Sequence, residues 1–504
     1  MSWSRKKSED RIRKFIQGVP QANVAVRDFA QFEIQRRAHL QGLRASGKAR
    51  DEDLIFEVKP NEAVLVDGAH VYVQLIDFND AMMEQGRETE ASHKRALTML
   101  HLHYGICDRV AAEFEAQRVD YHGGRMHAVI VSPSGNQNAR ERALKAVAFG
   151  NAVTMAIVSA GNIATNFSYR TRVRVGIDSG PSVAVNSGRA SEPEPLFLGN
   201  PANYAAKLAE GDQPGLYASD NIRRDLGQLP WGGGLAVEKL GQLGPLGQNP
   251  HDLQGSVISR VINEVSPPSF QFYRHTPPLR SIDFKELMPS RTIRMPLTSL
   301  FADIDGFTKY VGECIAQQRL AEMVANLHVL RSEMAATVKE DFDGRKVRFI
   351  GDCLHGLIAE GTAAETDEPK TVSRAVEAAG GLRSSFELCQ DHLSNIQQLG
   401  LAIGIELGGT PITRIGIRGD RSVRCSVSKA VSTSETLQRD SRGDETRLGS
   451  RAFEAAPAAV KRLFDNDGRA SGLDYSSVAA NLAPAPVEIR SGAATSVSRP
   501  YCSE

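Results

Sequence analysis

The chain has 504 residues, in which 60 Lys plus Arg balance 60 Asp plus Glu, and 41% of residues are hydrophobic. That length exceeds one hydrophobic core and implies about two to four domains, while the composition excludes collagen-like, coiled-coil and wholly disordered architectures. The balanced charge also excludes a global electrostatic grip on nucleic acid or an anionic membrane. Residues 1–60 read as a charged, helical N-terminal arm. Its start, MSWSRKKSEDRIRKF, has basic residues but no apolar run or small-residue cleavage site behind them, so a cytoplasmic chain without stable membrane insertion is expected. The six cysteines, Cys107, Cys314, Cys353, Cys389, Cys425 and Cys502, are scattered without CxxC or metal-type spacing, which predicts free thiols.

From 61 to 215 the pattern runs through an apolar strand, a long helix, two close strands with Gly between them, another helix, further strands and a final helix. Residues 216–294 are rich in Gly and Pro and read as a connector. The glycines around Trp231 there lack the strand and helix context of a nucleotide loop, and Arg418-Gly419-Asp420 further on reads as a hairpin tip. From 295 to 440 the first pattern returns, and 441–504 forms a C-terminal extension.

Residues support the repeat. VDYHGGRMHAVIV (from Val119) aligns without a gap to VRFIGDCLHGLIA (from Val347), sharing Gly123 with Gly351 and His127 with His355. RVGIDSG (from Arg174) matches AIGIELG (from Ala402), and the 129 positions from Gln74 to Asn203 equal those from Asp303 to Ser432. Fused copies of a half-site imply an active site between them. The aligned histidines are expected to be shared strand residues rather than ligands.

Chemistry concentrates in the second copy. LTSLFADIDGFTKY (from Leu297) is a strand ending in Asp303, then a turn at Gly306 and a helix starting near Phe307, whose exposed amides favour anionic oxygens. Asp352 lies in the turn of a tight hairpin that Gly351 permits. If the two strands are neighbours the carboxylates converge, and two such groups plus substrate phosphates suit Mg²⁺ or Mn²⁺.

FADIDGFT and FIGDCLHGLI resemble the first and second metal motifs of the class III nucleotide cyclases, over roughly 64–210 and 295–440. The resemblance implies an α/β (α+β) fold of two ferredoxin-like modules forming an intramolecular pseudo-heterodimer. It also implies conversion of a nucleoside triphosphate to a 3′,5′-cyclic nucleotide and pyrophosphate. Two metal ions would be held by Asp303, Asp352 and the Ile304 carbonyl, with Gly306 and Phe307 meeting the triphosphate. In GNPANYAAKL (from Gly199) the first copy keeps Asn203 at the family's ribose-orienting position and has Lys207 where the family has arginine. SKAVSTSET (from Ser428) in the second copy has Ser432 and Thr436 there instead. Gln74 and Gly124 occupy the first copy's metal positions, so the resemblance implies one live site and one dead pseudo-site.

The family's base-reading positions hold Asp120 and Asn200. A carboxylate accepts and an amide donates, which suits the imide edge of uracil or guanine. Tyr121 or His122 could fill the space a purine needs, and Arg348, the equivalent of Asp120, would face the pseudo-site. The unequal tandem layout also resembles the pyrimidine cyclases of Pycsar antiphage defence, which implies UTP as substrate and a separate effector protein that reads the cyclic product. Guanylate, cytidylate or adenylate cyclase and a non-catalytic nucleotide-binding scaffold are the rival readings.

Overall fold

The computed structural model describes residues 2–18, 25–34, 38, 58–59, 62–76, 78–164, 171–186, 194–228, 235–236, 267–416 and 422–483. Trp231, Arg418-Gly419-Asp420, Cys502, much of the connector and parts of both terminal segments lie outside the described residues.

Two eight-stranded sheets repeat one topology strand for strand. The first holds β1 (Ala25–Asp28), β2 (Glu62–Leu75), β3 (Gln117–His122), β4 (Arg125–Ile130), β5 (Val173–Asn186), β6 (Pro195–Leu198), β7 (Gly215–Ala218) and β8 (Leu235–Ala236). The second holds β9 (Phe272–Tyr273), β10 (Thr292–Asp305), β11 (Arg345–Ile350), β12 (Cys353–Ile358), β13 (Gly400–Ile415), β14 (Val423–Ser426), β15 (Glu445–Leu448) and β16 (Arg469–Ser471). The orders β3-β4-β2-β5 and β11-β12-β10-β13 are those of a ferredoxin-like module. Equivalent registers, Gln74 opposite Arg174 and Asp303 opposite Ala402, place Gln74 and Asp303 at the same point of the two sheets.

The principal helices are α1 (Arg5–Gly18), α2 (Glu90–Glu113), α3 (Ala139–Ala164), α4 (Asn200–Leu208), α5 (Phe307–Ala316), α6 (Leu320–Ala336), α7 (Glu368–His392), α8 (Lys429–Arg439) and α9 (Tyr475–Leu482). Helix α3 overlaps a segment, Asn136–Gly161, long and apolar enough to cross a membrane. However, its Ala143, Ala146, Phe149 and Val153 are wholly buried in the first module's core, so it is a core helix.

The shared glycine of the third repeat block has a packing role. A Cβ on Gly176 would lie 2.1 Å from the Ala205 carbonyl oxygen, and one on Gly404 would lie 2.2 Å from that of Ser434. Only glycine lets α4 and α8 cross their strands so closely. The shared histidines are buried strand residues: His127 bonds His70 at 3.0 Å, and His355 bonds Ser299 at 3.2 Å and stacks on Phe301.

The copies are packed face to face. Ala63, Val183, Val185 and Leu198 of the first copy join the second core, and Ile415, Cys425 and Val427 of the second join the first. The terminal segments differ from the sequence outline. Within the N-terminal arm, Ala25–Asp28 is a strand paired with β2, and α1 lies on the second copy, where Arg11 pairs with Glu333 at 2.6 Å and Asp341 at 2.7 Å. The connector supplies most of β7 and all of β8 and β9, and the C-terminal extension supplies β15, β16 and α9, because the edge of each sheet and the apolar face of α7 need covering.

Candidate active site

Antiparallel pairing of β10 with β12 runs to Ala302 opposite Leu354, so the end of β10 lies beside the two-residue turn of the β11–β12 hairpin. Gly351 takes φ 62° in that turn, which leaves Asp352 next to Asp303. The Ile304 amide donates to the Asp352 carboxylate and ties the hairpin to the strand. Gly306, at φ 82°, reverses the chain into α5. Asp303, Ile304, Asp305, Gly306, Phe307, Thr308 and Asp352 line one cleft of about 840 Å³, and Asn200 of the first copy completes its wall.

Both acids are partly exposed, yet enclosed enough to resist ionisation. Burial and then the Asp305 carboxylate push Asp303 up to about 6, against hydrogen bonds from Cys353 and Gln438. Burial and then the Asp303 carboxylate push Asp352 well above the usual range. A carboxylate pair held together at this electrostatic cost offers oxygen donors of the kind a divalent cation takes. Among the described residues no group of three or more His, Cys, Asp or Glu could hold a metal. Two carboxylates and a carbonyl, with phosphate oxygens to complete the shell, fit Mg²⁺ or Mn²⁺.

Asn203 lies one turn into α4 and is exposed. Its Nδ2 donates to Thr308 Oγ1 at 2.8 Å, which ties α4 of the first copy to a residue of the cleft wall, while Asn203 itself is not among the lining residues. Lys207, one turn further along α4, is exposed and lies outside the cleft wall. Asp120 is also outside that wall, and its Oδ1 accepts from Arg348 Nη1 at 3.1 Å.

Two expectations about the base pocket are corrected. Tyr121 points into the first core, where its hydroxyl donates to Asp108 at 2.9 Å, because strand alternation turns it away from the face of Asp120. His122 bonds Glu435 of the second copy at 2.9 Å, so its ring is committed to that contact across the copies.

At the equivalent point of the first sheet the polar groups satisfy one another. Gln74 accepts from Arg125 Nε at 2.8 Å, while Ser432 and Thr436 turn their hydroxyls back onto helix carbonyls. Glu88 accepts from the Lys429 amide at 2.6 Å, occupying the N-terminus of α8. Burial disfavours the Glu435 anion, but His122 and then Arg125 hold its carboxyl down to about 2.

A uridylate cyclase of a Rhizobium species is 54% identical over 521 residues, covering 99% of each chain. The chain belongs to the uridylate cyclase family, within the class III nucleotide cyclases. Another family member, the uridylate cyclase of Pseudomonas aeruginosa, is 37% identical over 464 residues and 89% of each chain. The family fold is also seen in a solved class III adenylyl cyclase-like ATP-binding protein from Pseudomonas aeruginosa. It superposes with a TM-score of 0.83 at 34% identity, covering 96% of this chain and 100% of that one. No family model matches the chain.

Sequence reasoning missed several residues around the site. Thr308, Cys353 and Gln438 touch Asn203 or Asp303 directly. Glu194 of the first copy is half-buried among Lys346 at 2.6 Å, Arg331 at 3.2 Å and Arg424 at 3.5 Å of the second. Only the excess of cations on β11, Arg345, Lys346 and Arg348, hinted that an anion lay opposite.

Proposed function

We propose that this enzyme converts UTP to 3′,5′-cyclic UMP and pyrophosphate in the cytoplasm, and that a separate effector protein reads the product in antiphage defence. The observation that carries the reading is the Asn203–Thr308 bond, which joins the ribose-handling helix of one copy to the cleft bearing both acids of the other. The names of the near full-length relatives support uracil as the base.

Asp303, Asp352 and the Ile304 carbonyl would hold two Mg²⁺ or Mn²⁺ ions. When bound, such ions lower the pKa of the 3′-hydroxyl and neutralise charge on the phosphates. The chain's own residues set the geometry. Asn203 orients the ribose so that O3′ faces the α-phosphorus, and the amides after Gly306 and Phe307 receive phosphate oxygens at the start of α5. Lys207 offers a point charge toward the α-phosphate where the family has a planar fork. The O3′–Pα bond forms as the bond from Pα to pyrophosphate breaks, and the hydroxyl proton passes to solvent. Asp120 accepts from the imide N–H of the base, and Asn200 serves as a second polar contact.

Incubation of the full chain with each of the four nucleoside triphosphates and Mn²⁺ tests this, with products identified by mass spectrometry. Cyclic UMP with equimolar pyrophosphate is expected. Binding of UTP without pyrophosphate release would make the chain a scaffold. Asp120 fits the imide edge of guanine as well, so dominant cyclic GMP would move the assignment to a guanylate cyclase. Dominant cyclic AMP would bring it closer to the ATP-binding structural relative.

A further inference from the structure

Asp120 and Arg348 are equivalent positions of the two copies, each three residues before its hairpin glycine, Gly123 or Gly351. A direct bond between equivalents can form only where the pseudo-twofold axis passes, and Arg348 Nη1 donates to Asp120 Oδ1 at 3.1 Å. The two side chains are unequally covered: Arg348 is 9% exposed and Asp120 is 39% exposed. Among the described residues nothing donates to Asp120 Oδ2, and Arg348 makes no other side-chain hydrogen bond. An enclosed guanidinium with donors left over, beside a half-open carboxylate with an acceptor left over, is an incomplete polar edge. Arg331 lies within electrostatic reach of both Asp120 and Asp352.

Resting on the cyclase reading above, we infer that Arg348 and Asp120 together read the substrate base. The guanidinium donates to the O4 carbonyl of uracil and the carboxylate accepts from N3–H. Position 348 thus serves the live site, although a strict division of labour between the copies would give it to the pseudo-site. Cytosine presents the reverse order, a donor at N4 beside an acceptor at N3. With the ribose and triphosphate anchored elsewhere, the base cannot turn over to match, so the order of the two side chains selects the pyrimidine.

The decisive variant is the double exchange of Asp120→Arg with Arg348→Asp. It keeps an ion pair across the axis and inverts donor and acceptor. Wild type and variant, as full chains, are given equimolar UTP and CTP with Mn²⁺, and both cyclic products are quantified by mass spectrometry. The ratio of cyclic CMP to cyclic UMP should rise at least about tenfold in the double exchange. An unchanged ratio in a folded double exchange overturns the inference, because a purely structural ion pair would survive the swap. If that variant does not fold, Arg348→Gln and Arg348→Lys replace it. The Gln variant should raise KM for UTP about tenfold, with partial recovery in Lys, and an unchanged KM in both overturns the inference. Failure of the wild type to release pyrophosphate from any triphosphate would refute the cyclase reading separately. The same variants would then be compared by calorimetric affinity for UTP and CTP, with the same two outcomes.

Discussion

Asn203 and Thr308 lie 105 residues apart in the chain and meet across the two copies, the amide donating to the hydroxyl at 2.8 Å. Thr308 is the second residue of the helix that follows Asp303 and Ile304, so this contact sets α4 of the first copy against the end of β10. The equivalent residue, Ser432, bonds only its own helix, at Lys429. The asymmetry of the two halves is therefore expressed in which helix reaches across.

Asn203→Ala should lower kcat for cyclisation about 10- to 100-fold with a smaller change in KM, because a positioning contact strengthens toward the transition state. Ser432→Ala should leave both unchanged. Steady-state pyrophosphate release measures the two side by side.

Asp303→Ala and Asp352→Ala should each reduce turnover by at least about 100-fold while circular dichroism stays native, since neither acid belongs to an apolar core. Gln74→Ala, at the equivalent point of the pseudo-site, should retain most activity. Complete loss in Gln74→Ala would reverse the assignment of the metal half.

In the absence of divalent metal, Asp303→Asn should stabilise the protein at neutral pH. The folded carboxyl is raised to about 6 from 3.8, so its ionisation costs stability fully above the folded value and not at all below the unfolded one. The gain, on the order of 1 kcal/mol, should thus be present at pH 7 and vanish near pH 4. Denaturant melts in EDTA at both values check it.

Gly176→Ala and Gly404→Ala should both destabilise, because each new Cβ meets a helix carbonyl at 2.1 or 2.2 Å. Only Gly176→Ala displaces the helix that bears Asn203. It should therefore lose activity beyond its loss of stability, whereas Gly404→Ala keeps turnover at temperatures where it remains folded. Thermal melts paired with initial rates separate the two effects.

Glu194→Gln should destabilise by about 3 kcal/mol at pH 7, leaving Lys346, Arg331 and Arg424 around a neutral amide. Burial opposes ionisation of Glu194, but Lys346 and then Arg331 hold its carboxyl below the ordinary value. Its contribution is present above the unfolded pKa and lost as pH falls through the folded one, so the variant and wild type should converge in acid. Urea melts from pH 7 to 3 follow this.

The resemblance to the class III cyclases implied the ferredoxin-like module and Asn203, whereas the amino-acid order by itself determined the repeat and the positions of Asp303 and Asp352. These depend on local rules: alternating apolar strands, a glycine wherever a turn or helix crossing forbids a Cβ, and a carboxylate at the end of a strand. Only the tertiary structure decided which groups of opposite copies touch. Arg348 reaches Asp120 across 228 residues of chain, and Glu194 meets three cations of the other copy, two on its sheet and Arg331 on α6. Such pairings leave no periodic trace, because they arise from the angle at which two separately folded surfaces dock. Docking likewise commits His122 to Glu435 of the second copy, whereas strand alternation within its own module turns Tyr121 into the first core.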